Sequence, residues 1–89
     1  MRGVVYFIGD EHQGAVKIGH TSYRDAARRL KGLQGSNPSP LRILGQIPVC
    51  IVAEAYLHIA FYHQWMHHEW FRYTPEMEEF AAGLTGHSD

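Results

Sequence analysis

Two short apolar runs open the chain. Val4-Val5-Tyr6-Phe7-Ile8 stops at Gly9-Asp10, and Ala15 to Gly19 follows Gln13-Gly14. Runs rich in β-branched and aromatic residues, bounded by turn formers, predict a β-hairpin with a loop of four or five residues. Thr21 or Ser22 offers an N-cap for a helix to about Gln34, which Gly35-Ser36-Asn37-Pro38-Ser39-Pro40 then breaks. Leu41 to Val49 reads as a third strand, and a long helix follows from about Ile51 to Trp65 or Met66. Glu69 to Tyr73 is a short stretch able to extend. Thr74-Pro75-Glu76 has the form of an N-cap with proline at the first helical position, opening a last helix to about Ala82. The predicted order is ββαβα plus a C-terminal helix, an α+β layered domain.

At about 100° per residue, Ala26, Ala27, Leu30 and Leu33 of the first helix form a stripe expected to face the sheet. Arg24, Arg28 and Lys31 share one flank. They make a basic ridge suited to phosphates, although a solvated helix face would look the same. Arg29 borders the apolar stripe on the other flank, where a guanidinium can be held and aimed.

A chain of 89 residues has room for one domain, taken as 1–89. Its 45% hydrophobic content suffices for one core and argues against disorder. No apolar run approaches the roughly 18 residues of a membrane span. Met1-Arg2-Gly3-Val4 lacks a signal-peptide pattern, and Cys50 is the lone cysteine, so a reducing cytoplasm is expected. The net charge of −1 hides an asymmetry. Residues 1–45 carry seven basic against three acidic side chains, and residues 46–89 carry one against six. A polyanion is thereby permitted on one face, not demanded.

Several passages stand in a telling order: Val4-Val5-Tyr6, Val16-Lys17-Ile18-Gly19, Arg29-Leu30-Lys31-Gly32-Leu33-Gln34 with Asn37-Pro38, Glu54-Ala55-Tyr56-Leu57-His58, and Glu69-Trp70-Phe71. Together they resemble the GIY-YIG nuclease superfamily, in particular its small branch frequent in bacteriophages and bacteria. The resemblance spans about residues 3 to 80. It implies a three-stranded antiparallel sheet flanked by helices, with a site built from a tyrosine, an arginine and a metal-binding glutamate. Carried over, these are Tyr6, Arg29 and Glu54, acting with Mg²⁺ or Mn²⁺ on DNA. Val4 replaces the glycine of the first triplet, and Lys17 the tyrosine of the second. The downstream asparagine of other branches has no counterpart, and Glu69 occupies its region.

Phosphodiester hydrolysis suits those residue types. A carboxylate binds a hard cation, a guanidinium binds the phosphate, and a phenol can accept the proton of the attacking water. A free phenol, with a pKa of about 10, is a poor base at neutral pH, and a neighbouring ammonium would favour the phenolate. Lys17 supplies that ammonium if the hairpin loop is the four residues Asp10 to Gln13, which sets Tyr6 directly opposite Lys17. A five-residue loop turns Lys17 to the other face.

Seven histidines raise the question of zinc. His63 and His67 are four apart, but a structural site needs four ligands, no paired CxxC exists and Cys50 is too near the helix start to be an obvious one, so zinc is not expected. His58, four residues after Glu54, is read as orienting that carboxylate or contacting phosphate, and His20 as reaching the site from the strand end. The reading is a divalent-metal-dependent DNA endonuclease. Its alternatives are a catalytically inactive DNA-binding module and a protein-interaction domain on the same frame. So small a domain would draw specificity from a second domain, a homodimer partner or a larger complex.

Overall fold

All seven residues of β1 (Val4–Asp10) are buried, because the strand lies inside a sheet covered on both faces. The computed structural model describes residues 3–22, 25–47 and 51–85. Beyond β1 it contains β2 (Ala15–Thr21), α1 (Ala27–Gln34), β3 (Arg42–Ile47), α2 (Ile51–Ala60), a 3₁₀ turn (Tyr62–Gln64), β4 (Trp65–His67), β5 (Trp70–Arg72) and α3 (Pro75–Thr85). The sheet has five strands in the order β3-β1-β2-β5-β4, all neighbours antiparallel.

Alternation along β1 divides the core into two layers. Val5 and Phe7 pack with Val16, Ile18, Phe71, Leu57, Phe61, Met77 and Ala81, under α2 and α3. Val4, Tyr6 and Ile8 pack with Ala26 and Leu41, and with half-buried Leu30, Leu33 and Trp70, under α1. No described helix is long and apolar enough to cross a membrane.

Three strands were expected, and the sheet has five. The predicted helix to Trp65 or Met66 ends at Ala60, and Trp65–His67 instead pairs with Trp70–Arg72 as a short hairpin. His68 turns that hairpin with a positive φ of 54° while its carbonyl accepts a 2.7 Å hydrogen bond from Trp65 Nε1. Local periodicity cannot foresee this. The aromatic run from Phe61 to Trp65 suits helix or strand, and pairing with β5, which is itself added to the edge of β2, decides between them.

α1 also starts later than the sequence predicts. Thr21 is the last residue of β2, paired with Val4, and cannot cap a helix. Asp25 Oδ1 instead accepts from Ala27 N at 2.9 Å, and Gln46 Oε1 from Ala26 N at 2.7 Å. Ala26 is buried as expected, whereas Ala27 is exposed. The third strand is described to Ile47, and Pro48, Val49 and Cys50 lie outside the described residues.

The first hairpin has a four-residue loop, Glu11–Gly14, rather than Asp10–Gln13. Gly14 closes it in the left-handed region at φ 66°, which favours glycine. Tyr6 therefore pairs with Gly19, and Lys17 with Ile8. Both four-residue loops share the same parity, so Lys17 stays on the face of Tyr6, displaced by one pleat.

Asp10 locks this loop to the segment after α1. Its buried carboxylate accepts from Gln13 N (3.1 Å), Gln13 Nε2 (3.0 Å), Asn37 Nδ2 (3.0 Å) and Ser39 Oγ (2.7 Å). Burial opposes the charge, but the Ser39, Asn37 and Gln13 donors outweigh it and hold the group below the ordinary carboxylate range. Asp10→Ala is expected to cost about 2–4 kcal/mol in urea unfolding, since it strands those donors. The wild-type contribution is present above the unfolded-state pKa and fades as pH falls through the lower folded value.

Candidate functional site

The site forms where β5 ends, so that the rest of β2 has a strand neighbour, β1, on one edge only. β5 pairs with Ala15, Val16 and Lys17 only. Beyond it, Ile18 N donates to Glu69 O at 3.0 Å, and His58 Nε2 lies 2.9 Å from Ile18 O. A carbonyl only accepts, so His58 carries its proton on Nε2 and ties α2 to this stretch of β2. Its ring stands edge-on to Phe71 at 5.0 Å.

Gly19 is the floor. A Cβ there would come 2.5 Å from Tyr6 Oη and 3.0 Å from Glu69 Oε1, so the missing side chain is what lets phenol and carboxylate approach each other. Tyr6 is 1% exposed, and its Oη accepts a 3.2 Å hydrogen bond from Arg29 Nε. Arg29 reaches it from the margin of α1, where the apolar stripe meets the exposed flank. Lys17 Nζ lies 2.8 Å from Glu69 Oε1 and 5.8 Å from the centroid of the Trp70 ring. Its expected contact with Tyr6 is thereby redirected: the register displaces Lys17 by one pleat, and its charge goes to Glu69.

Glu54, from the first turn of α2, completes the group through a hydrogen bond with the Glu69 carboxyl. Its side chain is 12% exposed. Burial, then the hydrogen bond and charge of Glu69, push Glu54 up to about 7. For Glu69, burial acts in the same direction but is overcome by the hydrogen bonds of Lys17 and Glu54, and its carboxyl falls below the usual range. The pair thus holds one proton near neutrality, on Glu54, with the negative charge on Glu69 beside Lys17. His58 Nε2 is 3.6 Å from Glu54 Oε2, too long for a hydrogen bond, so its tie is to the Ile18 carbonyl rather than to that carboxylate.

The remaining expected residues divide. His20 pairs with Val5 and alternates to the face opposite Tyr6 and Lys17, where its Nε2 is buried without a hydrogen-bond partner. Arg28 and Lys31 are exposed on α1. Arg24 lies outside the described residues. His63 and His67 fall in the 3₁₀ turn and β4, so their four-residue spacing is not helical.

Sequence reasoning left Glu69 without a role and passed over Asp10. The acid heading Glu69-Trp70-Phe71 was the available signal for the first. Nothing in the local sequence marks the second.

Chemically, two carboxylates that share a proton offer hard oxygen donors to a divalent cation. Among the described residues no group of three or more His, Cys, Asp or Glu is arranged to hold a metal. Water and phosphate oxygens would complete any coordination shell, as Mg²⁺ and Mn²⁺ tolerate and structural zinc does not. Lys17→Met should raise the Glu69 pKa, because it removes the cation that favours the charged form. Carboxyl ¹³C titration reads the shift directly, and an unmoved Glu69 would show that the ion pair has no electrostatic weight.

The family model described as the T5orf172 domain matches residues 3–81. No curated protein and no solved structure matches the chain.

Proposed function

The chain belongs to the T5orf172 domain family of nuclease-like proteins from phages and bacteria, and on that footing we propose a divalent-metal-dependent DNA endonuclease of GIY-YIG type. The observation that carries this reading is the continuous line of polar groups over Gly19. It runs from Arg29 through Tyr6 to Glu69, and on to Glu54 and Lys17. Every charge type that phosphodiester hydrolysis requires is represented within it.

Arg29 binds a non-bridging phosphate oxygen and favours the extra charge of the transition state. Tyr6 Oη, oriented by Arg29, positions the attacking water and relays its proton to the ionised Glu69 carboxylate over Gly19, directly or through a second water. Glu54 and Glu69 offer the metal-binding oxygens, and Lys17 keeps Glu69 ionised. His58 fixes the helix that carries Glu54. Mg²⁺ or Mn²⁺ bound there would act as a Lewis acid on the phosphoryl and leaving oxygens. Arg28 and Lys31 on α1 contact the DNA backbone and add salt-dependent affinity without reading sequence. A phage-infected or bacterial cytoplasm is the setting this reading implies, and a partner or second copy would add specificity.

Supercoiled plasmid tests the proposal. Nicking is expected with Mg²⁺ or Mn²⁺, is stopped by EDTA, and falls about a hundredfold or more in Arg29→Ala. Salt-sensitive binding with no nicking in either metal would leave a DNA-binding module instead.

A further inference from the structure

We propose that the cavity beside this site receives an unpaired nucleobase from a nucleotide adjoining the scissile phosphate, so that the protein acts on DNA carrying a bulged, flipped or single-stranded base. The inference rests on the endonuclease reading and narrows its substrate. Ala15, Lys17 and Gly19 alternate along one face of β2. Gly19 underlies the Tyr6 and Glu69 side chains, Lys17 lies over Trp70, and Ala15 lines the cavity. From Ala15 to Gly19 is about 13 Å of strand. The cavity therefore lies on the same face as the reacting groups and close enough for a neighbouring nucleotide to enter.

Its size and chemistry select a base. The volume is about 220 Å³. That is below the roughly 300–1,000 Å³ of pockets for drug-sized ligands and suits one ring system better than a whole nucleotide. Half-buried Trp70 borders it as a stacking surface, and Met66 as a flexible apolar wall. Asp10 is also in the lining, ionised and 1% exposed, so the cavity disfavours a phosphate and favours a neutral group.

The same carboxylate fixes two amides. Gln13 Nε2 and Asn37 Nδ2 both donate to Asp10 Oδ2. Both amides line the cavity, and each also carries an acceptor oxygen, Gln13 Oε1 and Asn37 Oδ1. Acceptors match the exocyclic amino groups of cytosine, adenine or guanine, and oppose the paired carbonyls of thymine.

The test uses two DNAs of one sequence with a central 2-aminopurine, either fully paired or bulged, bound in EDTA so that neither is cut. Fluorescence quenching on the bulged DNA is expected, with affinity at least about fivefold above that for the paired DNA, as one base stacked on an aromatic side chain would give. Met66→Glu and Trp70→Leu should bring the ratio of the two affinities towards one. Met66 is 43% exposed on an edge strand, so its substitution keeps the test valid even if the Trp70 variant misfolds. Equal affinities in the wild type, or a ratio unmoved in a folded Met66→Glu, would overturn the proposal. Replacing 2-aminopurine with thymine in competition should weaken binding, and equal competition would remove the amino-group preference. Plasmid nicking without any preference for the bulge overturns the cavity and leaves the endonuclease. Bulge-dependent quenching without nicking does the reverse.

Discussion

Glu54→Gln is expected to abolish metal-dependent nicking while making the protein more stable at pH 8. The loss of activity, about a hundredfold or more, follows from removing an anionic oxygen donor where the phosphate charge must be neutralised. The gain in stability follows from proton linkage. In the folded protein Glu54 is pushed up to about 7, by burial first and by Glu69 second, from an ordinary value of 4.5. Between those two pH values the folded state keeps a proton that the unfolded chain has released, so stability falls as pH rises across that window. The fall should amount to about 1–3 kcal/mol, somewhat below the full value of the shift because the Glu54 and Glu69 titrations are linked. Glu69 moves the other way, and its contribution changes only below 4.5, outside the window. Glutamine retains a donor to Glu69 and has no charge to develop. Urea unfolding at pH 5.5 and pH 8 should show wild type losing stability between them, with the variant nearly level. A wild type equally stable at both would contradict the shared proton. Mg²⁺ should stabilise wild type more at pH 8 than at pH 6, because the cation competes with that proton.

Gly19→Ala should cost both fold and function. The added methyl would stand 2.5 Å from Tyr6 Oη and 2.7 Å from Tyr6 Cζ, and Tyr6 is too buried to swing away. Overpacking of this kind costs about 1–3 kcal/mol. The displaced phenol also leaves Arg29 without its 3.2 Å partner, so nicking should fall by at least about tenfold in protein that is still folded. Tyr6→Phe in the same background should restore only part of the stability, because Cζ remains in the way, and none of the activity. Full activity in Gly19→Ala would mean that Tyr6 and Glu69 need not approach each other over this glycine.

Part of this site is legible in the chain before it folds. Runs of β-branched and aromatic residues around two turn signals were enough to specify the β1–β2 hairpin. A helical stripe with Arg29 on its margin specified how α1 would meet the sheet, and the order of motifs singled out Tyr6, Arg29 and Glu54. Periodicity carries the hairpin and the stripe because it records which side of an element is apolar, whereas the three residues are what the family resemblance implies.

Other features required contacts between distant segments. Trp65–His67 becomes a strand only because an open sheet edge is there to receive it, and the same strand pair delivers Glu69 to Lys17. Whether Glu54 meets Glu69 depends on α2 lying against the stretch of β2 beyond the end of β5. The resulting proton sharing depends on burial, which no spacing encodes. Asp10, to the eye an ordinary turn residue, becomes a buried lock only when Asn37 and Ser39 fold onto it. Faces and candidate chemistry could thus be read from the residues in order, since both are local properties of side chains and their period. Register, partners and protonation states came only with the folded molecule, since each arises when residues far apart in the chain exclude water between them.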